Sequence, residues 1–134
     1  MATWPAATRI ELNRRWVVEG EADVAPILEE FVKGQGATVE AASTEGLDFR
    51  QGSQIITRLL GAWSLNARLP ERGRLRWSRT VTGWQVDAHL EESLGIGDLD
   101  ERSLERYELS MRAWLDGLEV VLLDRFERVK RQQS

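Results

Sequence analysis

A chain of 134 residues, 42% hydrophobic and 30% charged, has the size and balance of one globular domain with its own core. It contains no cysteine, which excludes disulfides, thiolate metal sites and thiol catalysis, and its 18 basic and 22 acidic side chains leave a formal charge of -4. The N-terminus lacks a basic start followed by an apolar run, and no apolar stretch approaches the ~20 residues of a membrane helix, so a soluble, cytoplasmic domain is expected.

Residues 8–19 alternate, with Ile10, Leu12, Trp16 and Val18 on one face and Arg9, Glu11, Asn13 and Glu19 on the other, which predicts a half-buried strand. After Gly20 the period changes. Val24, Ile27, Leu28 and Phe31 recur at helical spacing behind Asp23, a natural N-cap, and Gly34 or Gly36 ends the helix. Residues 37–43 and 47–51 predict a hairpin about Glu45 and Gly46, with Val39, Ala41, Leu47 and Phe49 inward. Residues 54–69 fit two patterns. As a strand they align Ile55, Leu59, Trp63, Leu65 and Leu69, and as a helix Ile56, Leu60, Trp63 and Ala67. A strand bent at Gly61 is preferred, because glycine costs ~1 kcal/mol inside a helix and is common at bends.

Residues 72–80 and 85–93 predict a second hairpin, turning at Thr82 and Gly83. That turn pairs Trp77 with Ala88 and Leu75 with Leu90 on an apolar face, and Arg76 with His89 and Arg74 with Glu91 on a wet one. From about residue 99 to 131 the spacing of Leu104, Tyr107, Met111, Leu115, Leu118, Leu122 and Val129 predicts one long helix. At 1.5 Å per residue it would run ~50 Å, more than a small domain's width, so the turns from about 124 onward are expected to project or fray. Gly117 in its middle predicts a close approach or a mild kink.

Together these elements predict a single α+β domain over residues 1–134. It would be an antiparallel sheet of about six strands in the order β-α-β(5)-α, packed on a long C-terminal helix as a two-layer sandwich. This order of elements resembles the helix-grip architecture of START-related and polyketide-cyclase-like proteins, in which a curved sheet wraps the C-terminal helix. The resemblance implies a cavity for a hydrophobic ligand and assigns no functional residue.

Two arginines break the pattern of their strands. Arg14 lies in phase with Leu12 and Trp16, and Arg79 in phase with Trp77 and Val81, so both are expected to point toward the covered face. A buried guanidinium needs partners. As a ligand site, the two would anchor an acidic head group in a cavity walled by Trp16, Trp63, Trp77 and Trp84. As structure, they would snorkel at the rim or pair with helix acids such as Glu108 or Glu119.

Residues 50–80 carry seven arginines against one acid, Glu71, and interleave them with tryptophans. Nucleic acid is nevertheless not the expected partner, because the strands send the tryptophans and Arg72, Arg74 and Arg76 to opposite faces. His89 is the only histidine, so no imidazole cluster exists, and neither a metal nor a cofactor is expected. The acidic pairs Asp87 with Glu91 and Glu91 with Glu92 read as solvated strand ends. With no acid, base and nucleophile grouped together, the leading expectation is a non-enzymatic module for a small hydrophobic or acidic ligand. The alternative is an assembly module, pairing with itself or a partner protein through the C-terminal helix around Trp114, Val121 and Phe126.

Overall fold

A computed structural model of the chain describes residues 10–51, 71–92 and 101–132. The elements run β1 (Glu11–Glu19), α1 (Val24–Gly34), β2 (Thr38–Ala42), β3 (Gly46–Gln51), β4 (Glu71–Arg79), β5 (Gly83–Glu92), α2 (Glu101–Arg125) and β6 (Arg128–Gln132). The strands form one antiparallel sheet in the order β2-β3-β4-β5-β1-β6. One face of it is covered by α1, which packs on β2, β3 and β4, and by α2, which packs on β1, β5 and β6. The architecture is therefore α+β with the long helix laid on the sheet, as the periodicities predict. The ambiguous segment 54–69, with Trp63 and Gly61, lies outside the described residues.

Alternation fixes which side chains meet the helices. Trp16 and Val18 of β1, Leu47 and Phe49 of β3, Leu75 and Trp77 of β4, and Val86, Ala88 and Leu90 of β5 are all buried. From above, α2 contributes Tyr107, Met111, Trp114, Leu115, Leu118 and Leu122 to the same core. The short helix α1 starts where Asp23 accepts a hydrogen bond from the Ala25 amide at 3.3 Å and buries Val24, Ile27, Leu28 and Val32.

The centre of the core is aromatic. Phe49 stacks on Trp114 with ring centroids 5.1 Å apart, and Phe31 meets Trp114 edge-on at 5.0 Å. The cross-strand partner of Phe49 is Gly73, whose missing side chain makes room for the ring, since a Cβ there would lie 2.0 Å from Phe49 Cζ. Gly117, by contrast, is not forced. A Cβ on it would meet the Phe31 ring at 3.6 Å, an ordinary contact, so a close approach does not explain this glycine.

Three details differ from the sequence expectations. The β4–β5 hairpin pairs Leu75 with Ala88, Trp77 with Val86 and Arg74 with His89, a shift of two residues that leaves every face unchanged. Its loop is Val81–Thr82, closed by the Thr80 amide donating to Gly83 O at 2.9 Å and the Gly83 amide to Thr80 Oγ1 at 3.0 Å. Gly83 is needed for a different reason from turning, because a Cβ there would lie 2.0 Å from the carbonyl oxygen of Val18 on β1. Next, an irregularity between Val39 and Ala41 breaks the β2–β3 register and turns Ala41, expected inward, out to solvent.

The third difference is at the C-terminal end. The expected projecting helix beyond residue 124 does not form. Instead α2 stops at Arg125, Phe126 is buried, the Glu127 amide donates to Glu19 O at 2.8 Å, and β6 pairs with β1. Burial of Phe126 and packing of Val129 against the core favour this return over a solvated helix end. No helix among the described residues is long and apolar enough to cross a membrane.

Candidate functional site

Among the described residues the predicted ligand set includes two arginine–tryptophan pairs, Arg14 with its guanidinium 5.9 Å from the Trp16 ring and Arg79 over Trp84. Arg14 does point toward the covered side, but its NH1 lies 2.8 Å from Asp116 Oδ1 and 3.9 Å from Glu119 Oε1, both on α2. It is thus paired with helix acids, as the structural alternative proposed. Arg79 is exposed at the rim, its guanidinium 4.9 Å over the Trp84 ring. The indole N–H groups of this set are used within the fold. Trp16 Nε1 donates to Glu119 Oε1 at 2.7 Å, Trp77 Nε1 to Thr44 O at 2.9 Å, and Trp84 Nε1 to Ala22 O at 3.0 Å. Trp63 lies outside the described residues.

Glu119 is the hub of that corner. Besides Trp16 it receives Arg131 Nε and NH2 at 2.9 and 3.0 Å, a bidentate clamp from β6. The Arg131 hydrogen bond chiefly, then that of Trp16 and the charges of Arg131 and Arg14, hold its carboxyl below the ordinary glutamate range against an opposing effect of burial. An open groove of about 430 Å³ beside it is edged by Arg14, Arg112 and Arg131 between Leu12 and Leu115.

A different group stands out inside the sandwich. Gln51, Glu71 and Glu92 are the buried polar side chains among the described residues, at 3%, 0% and 8% exposure. They lie in one row across β3, β4 and β5, Glu71 pairing with Gln51 on one side and Glu92 on the other. Gln51 Nε2 donates a short hydrogen bond to Glu71 Oε1, while Gln51 Oε1, also buried, accepts none among the described residues. Two carboxylates directly opposite each other oppose folding, both by mutual repulsion and by loss of hydration. Such a row in an otherwise apolar layer is where function is expected to override stability.

Tyr107 of α2 is fully buried and within electrostatic reach of the row. Burial first, then the charges of Glu92 and Glu71, push its hydroxyl far above the ordinary tyrosine value, so it remains a proton-bearing donor. The preceding Arg106 also buries a guanidinium nitrogen, and Glu71, Glu92, Arg106 and Tyr107 are all engaged with neighbouring groups.

A consequence for alkaline stability follows. Above about pH 10 an unfolded tyrosine releases its proton while the folded one retains it, so stability is expected to fall by about 1.4 kcal/mol per pH unit there. Tyr107 is the only tyrosine, so tyrosinate absorbance reads it alone. The absorbance should rise together with unfolding and not before, and Tyr107→Phe should remove that part of the pH slope.

The row was legible in part. Glu71 keeps phase with Gly73, Leu75 and Trp77, and Glu92 with Leu90 and Ala88, so strand alternation alone sends both inward. Reading Glu91 and Glu92 as one solvated pair concealed this. Glu92 is buried, whereas Glu91 keeps a partly exposed side chain. No protein-family model and no curated protein matches the chain.

Proposed function

We propose that this domain is a non-enzymatic module that holds one small, largely apolar molecule between sheet and helix, with the molecule's polar end on Gln51, Glu71 and Glu92. The observation that carries this reading is the buried Gln51 Oε1, an acceptor with no hydrogen-bond partner among the described residues, beside two buried carboxylates. Leaving such capacity unfilled costs about 1–3 kcal/mol per group, which a guest with N–H or O–H donors would relieve. The resemblance of the element order to helix-grip proteins likewise implies a ligand held between sheet and helix. A donor-bearing head suits the open Gln51 acceptor better than an acidic one, since Arg14 is already neutralised by Asp116 and Arg79 lies at the rim.

Native mass spectrometry of tag-free protein purified from its own host tests the proposal. A single non-covalent small-molecule adduct on the wild type, absent from Gln51→Leu with unchanged circular dichroism, is the expected result. A wild type free of adduct, which also takes up nothing from host extract, would overturn it.

A second reading, assembly through α2, is favoured by Leu109, Val120 and Leu123, which are 67%, 64% and 56% exposed and fall on one stripe of the helix. Sedimentation that depends on protein concentration, and that Val120→Glu abolishes, would select this reading.

A further inference from the structure

On the opposite, helix-free face of the sheet, β1 and β5 set four polar side chains in a square. Glu11 pairs with Glu91 and Asn13 with His89, and alternate residues of a strand share a face. His89 Nδ1 lies 2.5 Å from Asn13 Oδ1. An amide oxygen only accepts, so Nδ1 is the donor of that contact, and in the neutral ring Nε2 then presents its lone pair. That nitrogen is 3.7 Å from Glu11 Oε2 and 3.8 Å from Glu91 Oε2, and one ligand atom from each of the three residues lies within 4.8 Å of the others.

These separations are close to what a metal ion imposes. Two ligand atoms each ~2.0–2.1 Å from zinc at a tetrahedral angle are ~3.4 Å apart, a few tenths of an ångström less than the two distances from His89 Nε2, while the two glutamate oxygens lie within 4.8 Å of each other. The side chains of Glu11 and Glu91 are 62% and 44% exposed and free to close that gap by rotation. An imidazole oriented through its other nitrogen by an oxygen acceptor is the usual arrangement of a metal-ligating histidine. The neighbouring cations on β4 do not fill the site. Arg74, opposite His89, is 3.6 Å from Asp48 Oδ1, and Arg72, opposite Glu91, lines with it an adjoining hollow of about 200 Å³.

We propose that Glu11, His89 and Glu91 bind one divalent transition-metal ion of the zinc class, with Asn13 as the positioning residue that fixes the imidazole. One nitrogen and two carboxylate oxygens favour such ions over calcium or magnesium, which prefer all-oxygen sets. Three protein ligands leave a coordination position open toward the hollow beside Arg72, where water or an anionic group would complete the shell. The site is on the far side of the sheet from Gln51, Glu71 and Glu92 and does not depend on the function proposed for them.

The experiment uses tag-free protein stripped with chelator, titrated with Co²⁺ by absorbance and with Zn²⁺ by calorimetry. One equivalent is expected to bind in the micromolar range. His89→Gln should lose saturable binding, Glu11→Gln and Glu91→Gln should each weaken it at least about 10-fold, and Asn13→Ala about 10–100-fold. The control Glu45→Gln, in the β2–β3 loop, should bind as wild type. Circular dichroism verifies that each variant is folded. No saturation below millimolar metal, or saturation that His89→Gln leaves unchanged, would overturn the assignment.

Discussion

Replacing Phe49 by alanine is expected to destabilise the domain by about 4 kcal/mol, seen as a large drop in the urea midpoint with an unchanged slope. The ring is fully buried, stacks on Trp114 and fills the space over Gly73, so nothing nearby can collapse into the void without moving the helix. A loss of this size is a large fraction of the ~5–15 kcal/mol that holds a typical domain together. Gly73→Ala alone should also destabilise, by about 1–3 kcal/mol, because the new Cβ and the Phe49 ring cannot share the space. In the Phe49→Ala background the same change should become neutral or favourable. The backbone at Gly73 does not have positive φ, and alanine restricts the unfolded chain by about 0.4–1 kcal/mol relative to glycine. A double-mutant cycle reads the coupling, and strictly additive losses would refute the account.

Glu119→Ala is expected to be the second large loss, about 2–3 kcal/mol. It leaves the N–H of the fully buried Trp16 unpaired and releases Arg131, which ties β6 to α2. Arg131 is half exposed, so most of the loss is assigned to the tryptophan donor. Amide exchange should accelerate across β6 more than across β4. The effect should depend on pH in a definite direction. Between the lowered folded pKa and the ordinary value near 4.3, the unfolded state binds more protons, so stability rises with pH through that window and is lost as pH falls. Glu119→Gln keeps an acceptor for Trp16 but should flatten this acid limb. Urea titrations at several acidic pH values check both variants.

Period-two and period-three-to-four patterns carried most of the architecture. They marked which side chains of β1, β3, β4 and β5 point inward, and they placed α1 behind Asp23, because burial on one face is a local property of the sequence. What they could not carry depended on partners distant in the chain. Gly83 has the look of a turn residue, whereas its need for glycine comes from β1 passing against it, a strand distant in sequence. The segment Arg128–Gln132 continued a helical spacing from Leu122 to Val129 without a glycine or proline to stop it. The edge of β1, together with the burial of Phe126 and the packing of Val129, explains why it extends as a strand.

The candidate sites divide in the same way. The inward phase of Arg14 was readable, but its pairing with Asp116 required the placement of α2. Arg79, read as inward, is exposed because its strand ends at the rim. The group of Glu11, Asn13, His89 and Glu91 was invisible while β1 had no known neighbour, since the pairing of β1 with β5 joins residues far apart in sequence.

The place of β1 bears on how the protein is made. This strand leaves the ribosome before either of its neighbours, since Arg15 pairs with Asp87 on one side and Gln132 on the other, so it must wait unpaired until β5 and then β6 have been synthesised. The hairpins β2–β3 and β4–β5 close over short distances and can form meanwhile, but joining β1 requires long loops to close before any burial offsets their entropy. Assembly is therefore late and slow. Until it is complete, β5 offers an open edge and an apolar face, and the nascent chain at that stage is the species most exposed to aggregation and most in need of chaperones.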